Sequence, residues 1–177
     1  IPLQCGTNKL LKSMNRKYTT EIYAERVASI KSKIPDACIA ADVIVGVPGE
    51  TDEDHQETIK FLKSLDISYL HVFTYSERPG TKAAKMRDQV NKQVRTERSK
   101  NLHSLSDEFL LKFLNKNQRE TRPILFEKEM KDGFIYGFTD NYIRTKVRYK
   151  PGMENQIIET KLVEIDKGQN VIGEINS

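Results

Sequence analysis

The hydrophobic pattern changes its period near residue 118, and this change constrains the fold more than any other feature of the sequence. Up to that point, short apolar strand-like stretches alternate with runs at helical spacing, the last of them a long helix over about residues 91–117. Strands separated by helices favour a parallel sheet or barrel with the helices outside, because parallel strands need crossover connections. We therefore predict an α/β domain over residues 1–118.

Closely spaced strands follow from residue 119 to the end of the sequence. Five strand candidates are separated by Asp-Gly, Thr-Asp-Asn, Pro-Gly and Lys-Gly turn signals, with no helical run between them. Five strands in about sixty residues fit a small antiparallel β-barrel of OB-like architecture, a class that often binds nucleic acid. We predict an all-β second domain over residues 119–177; the alternative is a barrel that only packs against its neighbour.

Composition narrows the class of protein. Hydrophobic residues make up 37% and charged residues 31% of the chain, and no apolar run reaches the length of a membrane span, so we expect a cytoplasmic protein without a membrane partner. The net charge of +4 permits a nucleic-acid partner without requiring one. Two cysteines are too few for a disulfide framework or a four-cysteine metal site. The chain opens at Ile1 inside an apolar strand pattern, so we expect a fragment of a longer protein.

A carboxylate stands at the start of the strand over residues 42–47. The turn that follows resembles a phosphate loop, but the acids from Glu50 to Asp54 would repel a phosphate, and the pattern favours a helix start. Burying the Asp42 carboxylate in such a strand costs free energy unless the carboxylate is paired. It either accepts hydrogen bonds from a ribose at the sheet's edge or pairs with a neighbouring Lys or Arg.

Two further polar side chains are predicted at the same edge. Gln4 ends the first strand just before Gly6, and Arg16 follows after one helical segment, where it could bind a carboxylate or simply remain solvated. Together with Asp42 they suit a ligand with a ribose and a free carboxylate. His71 is expected to be a buried core residue. Tyr75 falls in the polar loop that ends the third strand, where a substrate approaches a barrel.

A basic stripe is predicted in the second domain. Cations alternate at four positions, which period two places on one strand face: Arg144, Lys146, Arg148 and Lys150. Aromatic residues lie on adjacent strands: Phe134, Tyr136, Phe138 and Tyr142. Cations beside aromatic rings are used to bind RNA backbones and unpaired bases, so we predict RNA contacts by the four cations and Tyr142. The alternative is a solvated face over an apolar core.

Three ordered motifs, at residues 1–19, 42–54 and 71–86, resemble the methylthiotransferase family of radical S-adenosylmethionine (SAM) enzymes. The segment 137–147 resembles the TRAM domain of that family, a small RNA-binding barrel. The motif around His71 is most similar to the branch that methylthiolates N6-threonylcarbamoyladenosine in tRNA. The resemblance implies the C-terminal part of a TIM-like (β/α) barrel followed by a TRAM domain.

The resemblance also implies a chemistry and a set of site residues. In the family, a [4Fe-4S] cluster reductively cleaves SAM to a radical that abstracts hydrogen from C2 of the modified adenine, next to the anticodon in the tRNA stem-loop. By this resemblance Gln4 and Asp42 would contact the ribose of SAM, and Arg16 its methionyl carboxylate. Phe73 and Tyr75 would lie near the adenine or the substrate.

The sequence departs from the family pattern in its cysteines. The Cys-x3-Cys-x2-Cys cluster motif is absent from the printed sequence, as is the family's N-terminal domain, and we expect both upstream of Ile1. Without those cluster ligands the chain alone is expected to be inactive. Cys5 stands where the family has a serine, and we interpret it as a small-residue substitution and not a metal ligand.

Several alternatives stay open. Related enzymes act on isopentenyladenosine in tRNA or on an aspartate of a ribosomal protein. An alternative from another functional class is a non-catalytic RNA-binding protein. We also expect the fragment to self-associate, because the exposed strand edge at residues 1–3 could pair with another chain.

Overall fold

The computed structural model describes residues 1–175, apart from the side chain of Glu129. The chain divides into two compact units, Ile1–Phe109 and a second unit that starts at Leu110. This division lies shortly before the predicted boundary at residues 118 and 119, because the last turns of the long helix belong to the second unit.

The first unit alternates strands and helices. Its elements are β1 (Pro2–Gln4), α1 (Asn8–Ser13), α2 (Thr20–Lys33), β2 (Ala40–Val45), α3 (Asp52–Lys63), β3 (Tyr69–Thr74), α4 (Lys82–Lys85) and α5 (Lys92–Asn117). The strands form a parallel sheet in the order β1-β2-β3, which confirms the predicted parallel arrangement. The short helix α4 replaces part of a predicted loop, since Thr81 accepts a hydrogen bond from the Ala84 N–H and caps it. Membership of a larger barrel remains a prediction.

One face of this sheet packs against helices. Alternate residues of β2 point into a core shared with α2, α3 and α5, listed here by their buried members: Ala41, Val43, Val45, Tyr23, Val27, Leu62, Leu102 and Leu105. Ile22 and Ile34 are apolar residues at near-helical spacing in this segment, yet both are exposed. The buried face of α2 passes through Tyr23 and Val27, four residues apart, and this register turns Ile22 outwards.

The other face of the sheet is only partly covered. Ala40, Asp42 and Ile44 alternate with the core residues of β2 and are half-buried, and His71 and Phe73 of β3 are exposed. The register pairs Asp42 with His71 and Ile44 with Phe73. The prediction of a buried core His71 is therefore wrong. Its ring packs edge-on against Tyr69, and the residue is exposed. We call this side of the sheet the open face.

The second unit contains a closed five-stranded barrel. Its strands are β4 (Thr121–Lys131), β5 (Phe134–Thr139), β6 (Arg144–Arg148), β7 (Ile157–Ile165) and β8 (Val171–Ile175), in the order β4-β5-β6-β8-β7. The five predicted strands are confirmed, but β6 and β8 pair in parallel, so the barrel is not wholly antiparallel. Alternate residues fill its interior, among them Ile124, Phe126, Ile135 and Leu162.

Hydrogen bonds tie the end of α5 to the barrel within the second unit. The Asn117 side chain is buried, and its carbonyl oxygen accepts a hydrogen bond from Asn141 Nδ2 at 2.8 Å. Asn141 Oδ1 in turn accepts from the Thr139 hydroxyl at 2.7 Å. Among the helices of residues 1–175, none has an apolar stretch long enough to cross a membrane.

Candidate functional site

The turn between β2 and α3 is a capped helix start, as predicted. Thr51 Oγ1 accepts a hydrogen bond from the Asp54 N–H, and the Asp54 carboxylate accepts one from the Thr51 N–H at 3.0 Å, which together form a capping box. Lys9 Nζ lies 2.6 Å from Asp54. The acids at the start of α3 therefore serve the helix terminus and offer no site for a phosphate.

Glu50 has a different role from its acidic neighbours, and sequence reasoning missed it. Its buried carboxylate accepts hydrogen bonds from the Gly46 N–H at 2.5 Å and from Arg98 Nη1 at 2.8 Å. Arg98 Nη2 reaches Asp52 at 2.7 Å. Burial raises the pKa of Glu50, while the bonds from Gly46 and Arg98 oppose that rise. A signal was available, because Arg98 stands four residues before Leu102 on the buried face of α5.

The predicted pair Gln4 and Arg16 is brought together. Gln4 ends β1 in the left-handed conformation, with φ of 76°, and its side chain is buried. Arg16 Nη2 donates a hydrogen bond to Gln4 Oε1 at 2.9 Å, while Arg16 itself is exposed. The bond fixes the amide orientation of Gln4 and leaves other donors of the guanidinium free for an anion.

Asp42 lies on the neighbouring strand and on the open face. Its Cα pairs in register with Pro2, two residues before Gln4. Within residues 1–175 no cation or hydrogen-bond donor is paired with its carboxylate. The structural ion pair that the sequence left open is therefore not found in this part of the chain, and the half-buried carboxylate is available as an acceptor.

The two aromatic candidates differ in their surroundings. Phe73 is 53% exposed and shares the open face with Asp42. Tyr75 follows β3, packs against the cluster around Cys5, and carries the Arg95 guanidinium 5.1 Å from its ring centroid. The Tyr75 hydroxyl is buried and lacks a hydrogen-bond partner among the described residues, which marks it as a group that could meet a ligand.

Cys5 fills a small apolar space. It is fully buried beside Leu10, Leu11 and Val47, and its Sγ donates to the Thr7 carbonyl at 3.7 Å. Burial raises the pKa of the Cys5 thiol to about 11, so the thiolate is absent at neutral pH. These surroundings suit a small side chain.

The barrel presents the predicted basic residues of β6 beside aromatic residues of β5. Arg148 pairs in register with Phe134 and holds its guanidinium carbon 4.3 Å from that ring centroid. Arg144 lies 5.0 Å from the Tyr136 ring centroid. Cation–π contacts of this kind hold the guanidinium groups in place over the aromatic rings.

Two of the predicted cations deviate from the uniform stripe. Lys150 lies beyond the end of β6, in the following turn, so the four cations do not share one strand. β6 ends at Arg148, and Lys150 stands directly before the Pro-Gly turn at Pro151. Lys146 forms an ion pair with Asp166, with the two side chains 17% and 18% exposed, so its charge is largely balanced.

Tyr142 lies in the turn between β5 and β6. It adopts a positive φ of 69°, is 64% exposed, and stacks on Phe138 with ring centroids 4.9 Å apart. The structure thus places Tyr142 beside the aromatic residues of β5, although in a turn and not on a strand.

Comparison with known proteins connects both units to one family. Residues 1–62 match the family model of the Radical SAM superfamily, a segment that includes Gln4, Arg16 and Asp42. Over 168 residues the chain is 39% identical to the threonylcarbamoyladenosine tRNA methylthiotransferase MtaB of Bacillus subtilis, covering 93% of this chain and 37% of that protein. The chain belongs to the radical SAM methylthiotransferase family.

Other members of this family are similar over comparable lengths. The chain is 41% identical over 139 residues to the tRNA-2-methylthio-N(6)-dimethylallyladenosine synthase of Pelotomaculum thermopropionicum, covering 77% of this chain and 31% of that protein. It is 39% identical over 169 residues to the synthase of the same name from Thermosipho africanus, covering 94% and 38%. The predicted family resemblance is confirmed, and the chain spans less than two fifths of the length of each of these relatives.

Proposed function

We propose that this chain supplies part of the SAM site and an RNA-binding barrel to a radical SAM tRNA methylthiotransferase. The observations that carry the SAM site are the bonded pair Gln4 and Arg16 and, on the neighbouring strand, the Asp42 carboxylate, which has no partner among the described residues. The names of the similar proteins, which refer to tRNA, support RNA as the partner and the cytoplasm as the compartment.

The side chains of Gln4, Arg16 and Asp42 fit the chemical groups of SAM. Asp42 can accept hydrogen bonds from the ribose hydroxyls, and Gln4 can contact the same hydroxyls with the free N–H groups of its amide. Arg16 offers a charged donor to the methionyl carboxylate. Phe73 provides an exposed ring for the adenine or the substrate, and Tyr75 a buried hydroxyl. Bound SAM and a [4Fe-4S] cluster would supply the radical chemistry, and this chain would hold and orient the cofactor.

We propose a larger architecture for each unit. The three parallel strands with outer helices would form the C-terminal part of a TIM-like (β/α) barrel, whose interior would be lined by the open face. The five-stranded barrel would be a TRAM domain of OB-like type, with RNA contacts from Arg144, Lys146, Arg148, Lys150 and Tyr142. Of these, Arg148 would contribute more than Lys146, because Lys146 is already paired with Asp166.

For the substrate we propose C2 of N6-threonylcarbamoyladenosine in the anticodon stem-loop of a tRNA. A second candidate is a dimethylallyl (isopentenyl) adenosine, since two similar proteins are named for it. Mass spectrometry of tRNA nucleosides from cells that lack the gene separates the two. Loss of the 2-methylthio form of one nucleoside, with the other unchanged, identifies the substrate, and retention of both forms contradicts the proposal.

The SAM site is tested by binding measurements on the full-length protein that contains this chain. Asp42→Asn should weaken SAM binding about tenfold, because a hydrogen bond to a charged group contributes about 1.5–3 kcal/mol. Asp66→Asn, at a mostly exposed carboxylate on the loop after α3, is the matched control and should bind SAM normally. Equal affinities of the Asp42→Asn variant and the unmodified protein in calorimetry would remove Asp42 from the site.

A further inference from the structure

The hydrogen-bonded ladder between β6 and β8 is short. In the described part of the barrel, the parallel register ends with Lys146 beside Ile172. Beyond this pair β6 continues to Arg148, and β8 continues to Ile175 while it remains paired with β7. The last residues of β6 and β8 therefore separate from one another, although the pairs before them close the barrel.

A cleft of about 280 Å³ lies where these two strands separate. It is lined by the ends of both strands and by a residue of the turn that follows β6: Val147, Arg148, Lys150, Gly173, Glu174 and Ile175. Two of these side chains carry a positive charge and one a negative charge. The cleft therefore presents hydrogen-bond donors and an acceptor to the same ligand.

The three charges of the cleft do not neutralise one another. Arg148, Lys150 and Glu174 are all exposed, and none of them forms an ion pair with another residue in the range 1–175. The Arg148 guanidinium is held over the Phe134 ring by its cation–π contact. Lys146, by contrast, is paired with Asp166. Charges of both signs thus remain available at the open end of β6 and β8.

This combination of charges selects the chemical class of the ligand. A phosphate alone would be attracted by Arg148 and Lys150 but repelled by Glu174. A ligand with both an anionic group and a hydroxyl suits all three, because the cations can only donate hydrogen bonds and an ionised carboxylate can only accept them. A nucleotide of RNA carries both groups, since its 2′-hydroxyl is a donor close to the backbone phosphate. A nucleotide of DNA lacks this donor.

We propose that the cleft between β6 and β8 binds a ribose-phosphate unit of RNA, with the phosphate on Arg148 and Lys150 and the 2′-hydroxyl donating to Glu174. The proposal rests on the RNA-binding role proposed for the barrel, and it adds a means of selecting RNA over DNA. Because the site contacts the sugar and the phosphate, this selection does not depend on the base.

The test measures binding of three short fluorescent oligomers to the full chain of 177 residues by anisotropy. The oligomers are oligouridylate, its 2′-deoxy form and its 2′-fluoro form. They share base and phosphates, and the 2′-hydroxyl donor is present in oligouridylate alone. The unmodified chain should bind oligouridylate about tenfold more tightly than either of the other two, because the hydrogen bond to the Glu174 carboxylate is lost with them.

A change at the carboxylate should abolish this preference. Glu174→Ala should bring the three affinities to about the same value, and it should strengthen binding of the 2′-deoxy form because a repelling charge is removed. Glu159→Ala is the matched control, since Glu159 is an exposed carboxylate on β7 of the same barrel. This variant should keep the tenfold preference of the unmodified chain.

Changes at the cations should act on the phosphate contact. Arg148→Gln and Lys150→Gln should each weaken binding of all three oligomers and lower the slope of log affinity against log salt by about one. Urea denaturation of every variant shows whether these exposed substitutions leave the fold intact.

The outcomes separate this proposal from the RNA-binding role itself. If the unmodified chain binds none of the oligomers, the RNA role of the barrel is wrong and the ribose site is wrong with it. If the chain binds RNA and Glu174→Ala keeps the preference for oligouridylate, the ribose site alone is wrong. Equally tight binding of the 2′-fluoro form by the unmodified chain would also overturn it, because the preference would then come from the sugar conformation and not from the hydroxyl. A loss of preference in Glu159→Ala as great as in Glu174→Ala would reduce the effect to net charge and overturn the assignment to this cleft.

Discussion

His55 lies on α3 with both ring nitrogens buried and without hydrogen-bond partners among the described residues. Burial, and then the nearby charge of Arg98, lowers the pKa of His55 below its ordinary value of 6.5. The folded chain therefore holds this imidazole neutral, and protonation favours the unfolded chain. The contribution of neutral His55 to the free energy of unfolding is fully present above pH 6.5, and it is lost as the pH falls through the lowered pKa.

We predict that His55→Phe removes this pH dependence. The unmodified chain should lose free energy of unfolding between neutral pH and about pH 5.5, and the variant should lose less over the same range. Urea denaturation at a series of pH values measures the difference. His71→Phe, at an exposed histidine, is the control and should follow the unmodified chain. Parallel pH profiles for the unmodified chain and the His55 variant would contradict the prediction.

At the scale of elements, the turn between β2 and α3 depends on a contact from α5. The Arg98 and Glu50 side chains are both almost fully buried and form an ion pair at 2.8 Å. Arg98→Met should cost about 3–5 kcal/mol of unfolding free energy, because it leaves a buried carboxylate without its cation. Arg87→Met, at an exposed arginine, should cost little. A denaturation midpoint for Arg98→Met equal to that of the control would show that the pair does not hold the turn.

The same turn shows which elements the sequence could predict. The start of α3 was predictable, since Thr51 and Asp54 stand three residues apart and complete a local capping pattern. The pairing of Glu50 with Arg98 was not, because it joins residues far apart in the chain and only the packed fold brings them together. Gln4 and Arg16 were predicted for one site for their separate chemistry, and their direct hydrogen bond came from the structure.

At the scale of the whole molecule, α5 contributes to both compact units. Residues up to Phe109 belong to the first unit, and the helix from Leu110 onward belongs to the second. We predict that the barrel is more stable in a chain that begins at residue 110 than in one that begins at residue 119. The shorter chain loses Asn117 and with it the buried hydrogen bond from Asn141 Nδ2 to Asn117 Oδ1. Thermal denaturation of the two chains tests this prediction. Equal melting temperatures would contradict it.

The number of strands in the barrel and the alternation of strands and helices in the first unit could be predicted. Both follow from the hydrophobic period and the turn residues, which are local properties of the sequence. The order of the strands in the closed barrel could not be predicted, since the parallel pairing of β6 with β8 depends on how the last strand crosses the others. The exposure of His71 also escaped prediction, because an apolar neighbourhood in sequence does not reveal which face of a sheet is covered.

Self-association remains our expectation for this chain. In the described part of the first unit, β1 and β3 are the outer strands of the sheet, and Phe73 is exposed on its open face. Apolar surface beside unpaired strand edges favours contact with a second copy. We predict a concentration-dependent rise in mass by sedimentation equilibrium, reduced by Phe73→Asp and retained in Leu111→Asp. A monomer at all concentrations would contradict this.

The positive φ of Tyr142 lowers the stability of the fold at a residue that we propose to contact RNA. A tyrosine in the left-handed conformation costs the fold on the order of 1–2 kcal/mol, which Gly or Asn would largely recover. Tyr142→Gly should therefore raise the melting temperature of the chain while it removes the ring that stacks on Phe138. A laboratory selection for heat resistance alone would discard this tyrosine early. If Tyr142 contacts RNA as we propose, a selection that also demands RNA binding would keep it.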